Sequence, residues 1–225
     1  EMQRSLVGSE MCIRDRSVVI DEDVLAKARE AGDLLPLHGA AFLYGIDAIT
    51  ELLPKVKQVA TFDSSFHQSM KKEAFLYAIP LDQYEKHKIR RYGFHGTSHK
   101  YVAEEAAKML GYKGKFISCH LGGGASVTAI ENGRSVDTSM GFTPMAGMIM
   151  GTRCGDIDPY IPLHIMKTQN MTADEVNAML NKESGWYGLT RGYTDLRDIE
   201  EQYLEGNQDA ITAVDVYVHA LIKYI

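Results

Sequence analysis

The stretch KFISCHLGGGASVTAIENGRSVDTS, residues 115–139, constrains the fold of this chain most. Residues 116–120 and 126–130 read as two strands around a Gly122-Gly123-Gly124 turn, and Asn132-Gly133 is a hairpin signal leading into a third strand at 134–139. The glycine turn therefore joins strand to strand. A P-loop needs G-K-[ST] before a helix, and a dinucleotide fingerprint also ends in a helix, so both are excluded. Glycines permit φ > 0 and close approach, which lets backbone N–H groups converge on an anion such as a nucleotide phosphate. A plain tight turn is the competing reading.

Around this hairpin the chain alternates helices and strands without repeats. A first helix ends near Gly32, a second spans 41–52 before Pro54, and residues 55–62 read as a short strand that delivers Asp63 past its C-terminal end, the edge of an α/β sheet where ligands bind. Pro80 opens a helix to about Lys88, and Thr97 or Ser98 caps another in which Val102, Ala106, Met109 and Leu110 form the buried stripe. With 225 residues, one large domain or parts of two are expected. Apolar residues at 45% and charged residues at 24% are ordinary globular proportions. A net charge of -6 without a Lys/Arg block argues against nucleic acid as the partner. Cys12, Cys119 and Cys154 form neither a disulfide framework nor a zinc knuckle. No apolar run reaches the roughly 18 residues of a membrane span. A cytoplasmic protein with small-molecule partners is the expectation.

Both ends carry expectations of their own. Residues 1–16 have neither a helical nor a strand period and are expected to be a non-native leader or assembly scar. Ile211, Val214, Val218, Leu221, Ile222 and Ile225 lie on one helical face with no C-cap signal after them, which predicts a chain cut in mid-helix with that face exposed.

Two further segments carry chemistry. Arg153 lies in MGTRCGDIDP between Gly151 and Gly155, ahead of an Asp158-Pro159 helix start, a way to hold a guanidinium over a phosphoryl group. A surface arginine paired with a carboxylate is the alternative. His95 and His99 have the spacing of two metal ligands on a helix, but Gly96-Thr97-Ser98 between them reads as a cap and the glutamate of H-E-x-x-H is missing. His95 ahead of a helix N-terminus is instead placed to donate hydrogen bonds to an anion.

YGFHGTSH at 92–99, ISCHLGGGAS at 117–126, DTSMGFTPMAGMIMGTRCGDIDP at 137–159 and FDSSFHQSM at 62–70 together resemble the acetate kinase family, in matching order and over about residues 17–225. The resemblance implies an α/β fold of the acetate and sugar kinase, heat-shock ATPase and actin type (ribonuclease H-like), with a boundary near Phe66. Residues 17–65 would be the tail of the N-terminal domain and 66–225 the first part of the C-terminal nucleotide-binding domain, both incomplete. The implied reaction is ATP plus acetate giving ADP and acetyl phosphate, reversibly and with Mg²⁺, in a homodimer.

By similarity, Arg153 and His95 stabilise the transferring phosphoryl group, and Asp63 is the family's acid/base residue. Acetate near pH 7 is already an anion, so Asp63 is expected to orient metal-bound water or substrate instead. His120, Leu121, Gly122, Gly123 and Gly124 match the phosphate loop. Asp195, Leu196 and Arg197 match an adenosine-side contact; read alone, they are the first turn of a helix capped by Thr194. Leu37, Phe94 and Pro144, with His38 beside them, align with a pocket for the acyl methyl group.

Two positions depart from the family pattern. Gly123 stands where the family usually has asparagine, and Gly39-Ala40-Ala41 follows Pro36-Leu37-His38 where Asn-Pro is usual. The family's Mg²⁺-associated residues, its N-terminal lysine and its substrate-carboxylate arginine have no counterpart, so the metal ligands are unknown and the chain is expected to be an inactive fragment. A propionate kinase, differing only in the pocket, and a noncatalytic nucleotide-binding module are the alternatives.

Overall fold

The computed structural model describes residues 17–32 and 39–225. The chain is a mixed α/β structure. It begins with β1 (Val18–Val19), α1 (Glu22–Gly32), α2 (Gly39–Leu52) and β2 (Val59–Ala60), with Val18 opposite Ala60 in an antiparallel pair. The strand expected over 55–62 shrinks to two residues. After Pro54 the chain turns, the Val56 N–H donating to the Leu53 carbonyl at 3.0 Å, and the Gln58 amide reaches back to the Ile46 carbonyl at 3.2 Å.

A 3₁₀ turn (Ser65–Ser69), α3 (Lys72–Phe75) and α4 (Asp82–His87) lead to α5 (Gly96–Leu110). Then β3 (Lys115–Leu121), β4 (Ala125–Glu131) and β5 (Arg134–Thr138) form an antiparallel meander in that order. Leu121 faces Ala125 across the glycine turn, and Glu131 faces Arg134 across Asn132-Gly133. The φ values of 52° and 78° at Asn132 and Gly133 suit a type I′ hairpin turn, as the sequence predicts.

Period-2 alternation gives β4 two distinct faces. Ala125 and Val127 enter an apolar core with Met140, Met148 and Met150, against which Phe94 and Leu221 pack. Ser126 and Thr128 point the other way and share their face with Ser118 and His120, directly opposite on β3. Helix α5 covers this hydroxyl-bearing face, so the face it buries is Gly96, His99 and Ala103. The expected stripe is therefore corrected: Val102, Met109 and Leu110 are exposed and Ala106 is half-buried. Small residues and one hydrogen-bonding ring suit a polar sheet face better than branched chains do.

A helical layer follows: α6 (Tyr160–Gln169), α7 (Ala173–Lys182), α8 (Gly185–Thr190), α9 (Leu196–Leu204) and α10 (Gln208–Tyr224). Pro159 opens α6 as expected, with Asp158 accepting the Tyr160 N–H at 2.8 Å. Trp186, Ile199, Ala210 and Ala213 form a second core. Trp186 packs on Tyr217 with ring centroids 4.6 Å apart, which rotates α10 so that Ala210 and Ala213 are buried while Val218, Ile222 and Ile225 are exposed. Ile211, Val214 and Leu221, expected on the same face, are half-buried. No helix among the described residues is long and apolar enough to cross a membrane.

Candidate active site

Asp63, His95, the glycine turn and Arg153 meet at the N-terminus of α5. The cap expected from Thr97 or Ser98 is not formed by either: His95 occupies the N-cap position in the left-handed region at φ 58°, with no side-chain cap of its own. Asp63 supplies the acceptors from a distance in sequence. Its Oδ2 accepts the His95 N–H at 2.7 Å, and its carbonyl accepts the Gly96 N–H at 2.8 Å. A Cβ on residue 96 would lie 2.3 Å from that carbonyl, so only glycine lets the two segments meet. The 3₁₀ turn that follows Asp63 is itself tied to β5, where Ser69 Oγ donates to the Ser135 carbonyl at 2.8 Å.

The glycine turn works by close approach. None of Gly122, Gly123 and Gly124 lies in the left-handed region, which corrects the expectation that φ > 0 explains them. A Cβ on Gly124 would instead lie 3.0 Å from His95 Nε2 and 3.9 Å from Arg153 Nη1, so imidazole and guanidinium converge on a bare backbone. The Arg153 loop is held on the turn by the Gly151 N–H, which donates to the Gly123 carbonyl at 3.0 Å. Arg153 Nη1 also donates to the Pro144 carbonyl at 3.1 Å. Among the described residues no carboxylate pairs with Arg153, so the paired-surface-arginine reading finds no partner there.

Four histidines surround this point, each bonded to a serine. His95 Nδ1 meets Ser126 Oγ at 2.9 Å, and His99 meets Ser126 at 2.7 Å through Nε2 and Ser118 at 2.9 Å through Nδ1. His120 Nδ1 meets Ser98 Oγ at 2.9 Å, and its ring stacks on His95 with centroids 4.1 Å apart. His67, fully buried, bonds Ser135 and donates from Nε2 to the Phe94 carbonyl at 2.9 Å. Burial lowers the pKa of His95 to about 4, helped by His120 and Arg153. His99 falls to about 3, chiefly through burial and then through His67 and His95. Burial lowers His67 as well. The rings of His67, His95 and His99 are neutral near pH 7.

Among the described residues no group of three or more His, Cys, Asp or Glu could hold a metal ion, and His95 and His99 are engaged with serines. Phe94 and Pro144 are both drawn to the site, one adjoining His95 and the other bonded to Arg153. Leu37 and His38 lie outside the described residues. Asp195, rather than Thr194, caps α9 by accepting the Arg197 N–H at 2.9 Å. The Arg197 side chain also pairs with Asp195, holding that carboxyl well below its ordinary range. This turn shares no hydrogen bond with residues 120–124. His67, Ser118 and Ser126 escape sequence reasoning, and Ser98, expected as a cap, bonds His120 instead. For the two strand serines the signal is parity, with Ser118 and His120 on β3 facing Thr128 and Ser126 on β4.

The model of the acetokinase family matches residues 7–225. Acetate kinase from Alkaliphilus metalliredigens (strain QYMF) is 53% identical over 212 residues, covering 93% of this chain and 54% of that protein. Acetate kinase from Bacillus mycoides (strain KBAB4) is 54% identical over 212 residues, again 93% of this chain, and 53% of its own length. The chain thus spans about half the length of these relatives. Among solved structures, a propionate kinase from Francisella tularensis superposes with a TM-score of 0.91 at 42% identity, covering 95% of this chain and 56% of that one. Porphyromonas gingivalis acetate kinase gives 0.87 at 43%, covering 93% and 53%. With the hairpin, the Asp63–His95 junction and the Arg153 loop in place and these likenesses over nearly its whole length, the chain belongs to the acetokinase family.

Proposed function

We propose that this protein transfers the γ-phosphoryl group of ATP to acetate, reversibly, giving acetyl phosphate and ADP. The observation that carries the reading is the convergence of His95 Nε2 and Arg153 Nη1 on Gly124, with Arg153 free of any carboxylate among the described residues. Phosphoryl transfer leaves a protein little covalent work, so positioning and charge neutralisation dominate. An acetate oxygen attacks the γ-phosphorus, the bond to the bridging oxygen of ADP breaks, and its electron pair leaves with ADP. Arg153 and His95 face the equatorial oxygens, one as a cation and one as a neutral N–H donor.

Asp63 needs no role as base, since acetate enters as an anion. Its carboxylate is exposed, with one oxygen held by the His95 N–H. Mg²⁺ is commonly bound through one or two carboxylates together with substrate phosphates, which this donor fits, and when bound it neutralises charge on the phosphates. His120 and the glycine turn line the phosphate side, and Leu196 and Arg197 offer an exposed edge to adenosine. Phe94 and Pro144 form the described wall of the acyl pocket. We further place the protein in the cytoplasm, as a homodimer whose two domains meet near Phe66.

The deciding assay is hydroxamate trapping of acetyl phosphate by the protein as its gene encodes it. Activity with acetate that collapses in Arg153→Ala supports the proposal; a folded, ATP-binding protein inactive with acetate and propionate sinks it. Propionate is the second reading, favoured by the likeness to the Francisella propionate kinase. One methylene is worth only about 1–3 kcal/mol in an apolar pocket, so comparing kcat/KM for the two acids separates these readings.

A further inference from the structure

We infer that a one-way hydrogen-bond chain, Ser118 to His99 to Ser126 to His95, holds His95 as the Nε2–H tautomer, so that an N–H and not a lone pair faces the glycine turn. The inference rests on the phosphotransfer reading only for what that N–H meets.

The direction follows from counting hydrogens. A neutral imidazole has one donor and one acceptor nitrogen, and a serine hydroxyl has a single hydrogen to give. Ser118 is 7% exposed, and among the described residues its hydroxyl has one partner, His99 Nδ1 at 2.9 Å. If Nδ1 carried the hydrogen, the Ser118 proton would be buried without an acceptor, a costly arrangement. Ser118 therefore donates and His99 Nδ1 accepts. The His99 hydrogen is then on Nε2, donated to Ser126 Oγ at 2.7 Å. Ser126 is fully buried, and among the described residues the one remaining partner for its own hydrogen is His95 Nδ1 at 2.9 Å. His95 is left with its hydrogen on Nε2, where the missing Cβ of Gly124 leaves room for a ligand oxygen.

The reverse direction strands the Ser118 hydrogen, whereas the forward direction ends at the open turn, where an N–H finds an acceptor. A doubly protonated His99 would strand it too, and would bury charge among His67, His95 and His120, a cost that its lowered pKa expresses. His67 shows the same pattern independently. Its Nε2 meets the Phe94 carbonyl, which can only accept, so its Nδ1 accepts from Ser135. Ser118, His99 and Ser126 are thus positioning residues, acting through His95 without touching the turn.

The test is long-range ¹H–¹⁵N NMR of the histidine rings in the full chain near pH 7.5, without ligand. A protonated Nε2 and bare Nδ1 on both His95 and His99 are expected. His95 found as the Nδ1–H tautomer, as an even mixture or as imidazolium overturns the inference. Because this readout needs no turnover, it can succeed or fail independently of the proposed reaction. Ser118→Ala removes the hydrogen that orders the chain, so His95 should become a tautomer mixture with its ring still in place; unchanged His95 resonances contradict the chain. Ser126→Ala should lower kcat several-fold with little change in KM for ATP. If that variant does not fold, the wild-type tautomer still decides.

Discussion

His95 combines the chemistry of the site with a backbone conformation that few side chains tolerate, at φ 58°. Asparagine accepts the left-handed region more readily than most residues, so His95→Asn separates the two roles. We expect a kcat loss on the order of 10²–10³-fold, the value of one preorganised donor, with the melting temperature nearly unchanged. A matching fall in stability would assign His95 to structure instead. Arg153→Ala should cost more, about 10³-fold or greater in kcat, because on the proposed reading it removes the cation that faces the transferring group. The two neighbouring glycines should behave oppositely. A Cβ on Gly123 meets nothing within 4 Å, so Gly123→Asn is tolerated and restores an amide to the phosphate side, read as tighter ATP binding by calorimetry. On Gly124 it would press on His95 Nε2 at 3.0 Å, so Gly124→Ala should lose activity while remaining folded.

At the scale of elements, the polar seam between α5 and the β3–β4 hairpin makes the fold sensitive to acid. The folded pKa values of His95 and His99, about 4 and about 3, lie below the ordinary 6.5. Between those values and 6.5 the unfolded chain binds more protons than the folded one, so stability rises with pH and is lost on acidification. Melting temperatures should therefore be flat above about pH 7 and fall between about pH 6.5 and 5, before carboxylates titrate. A constant melting temperature across that interval would contradict the buried neutral rings. The same seam explains why α5 misleads a periodicity argument. Val102, Met109 and Leu110 have the right spacing for a buried stripe, but spacing cannot tell which face meets a sheet. The hydroxyls of Ser118 and Ser126 decide it, and they lie beyond the helix in sequence.

At the scale of the whole molecule, α10 carries one apolar face inward and a second outward. Ile222 is 69% exposed and Ile225 66%. Ile222→Lys should change stability by no more than about 0.5 kcal/mol and reduce concentration-dependent light scattering; a large drop in melting temperature would place that side chain in a core. The sequence by itself determined the local grammar: the Asn132-Gly133 hairpin, the glycine turn between strands, the Pro159 helix start and the motifs that place the chain in its family. Each rests on neighbouring residues alone, where φ preferences and hydrogen-bond spacing act directly. Only the tertiary structure decided that Asp63 caps α5 across 32 residues, that Gly124 is bare so that His95 and Arg153 can converge, and that serines on two strands order the histidines. Those contacts join segments far apart in the chain, and the energy that selects them, satisfaction of buried polar groups, has no local periodicity to read.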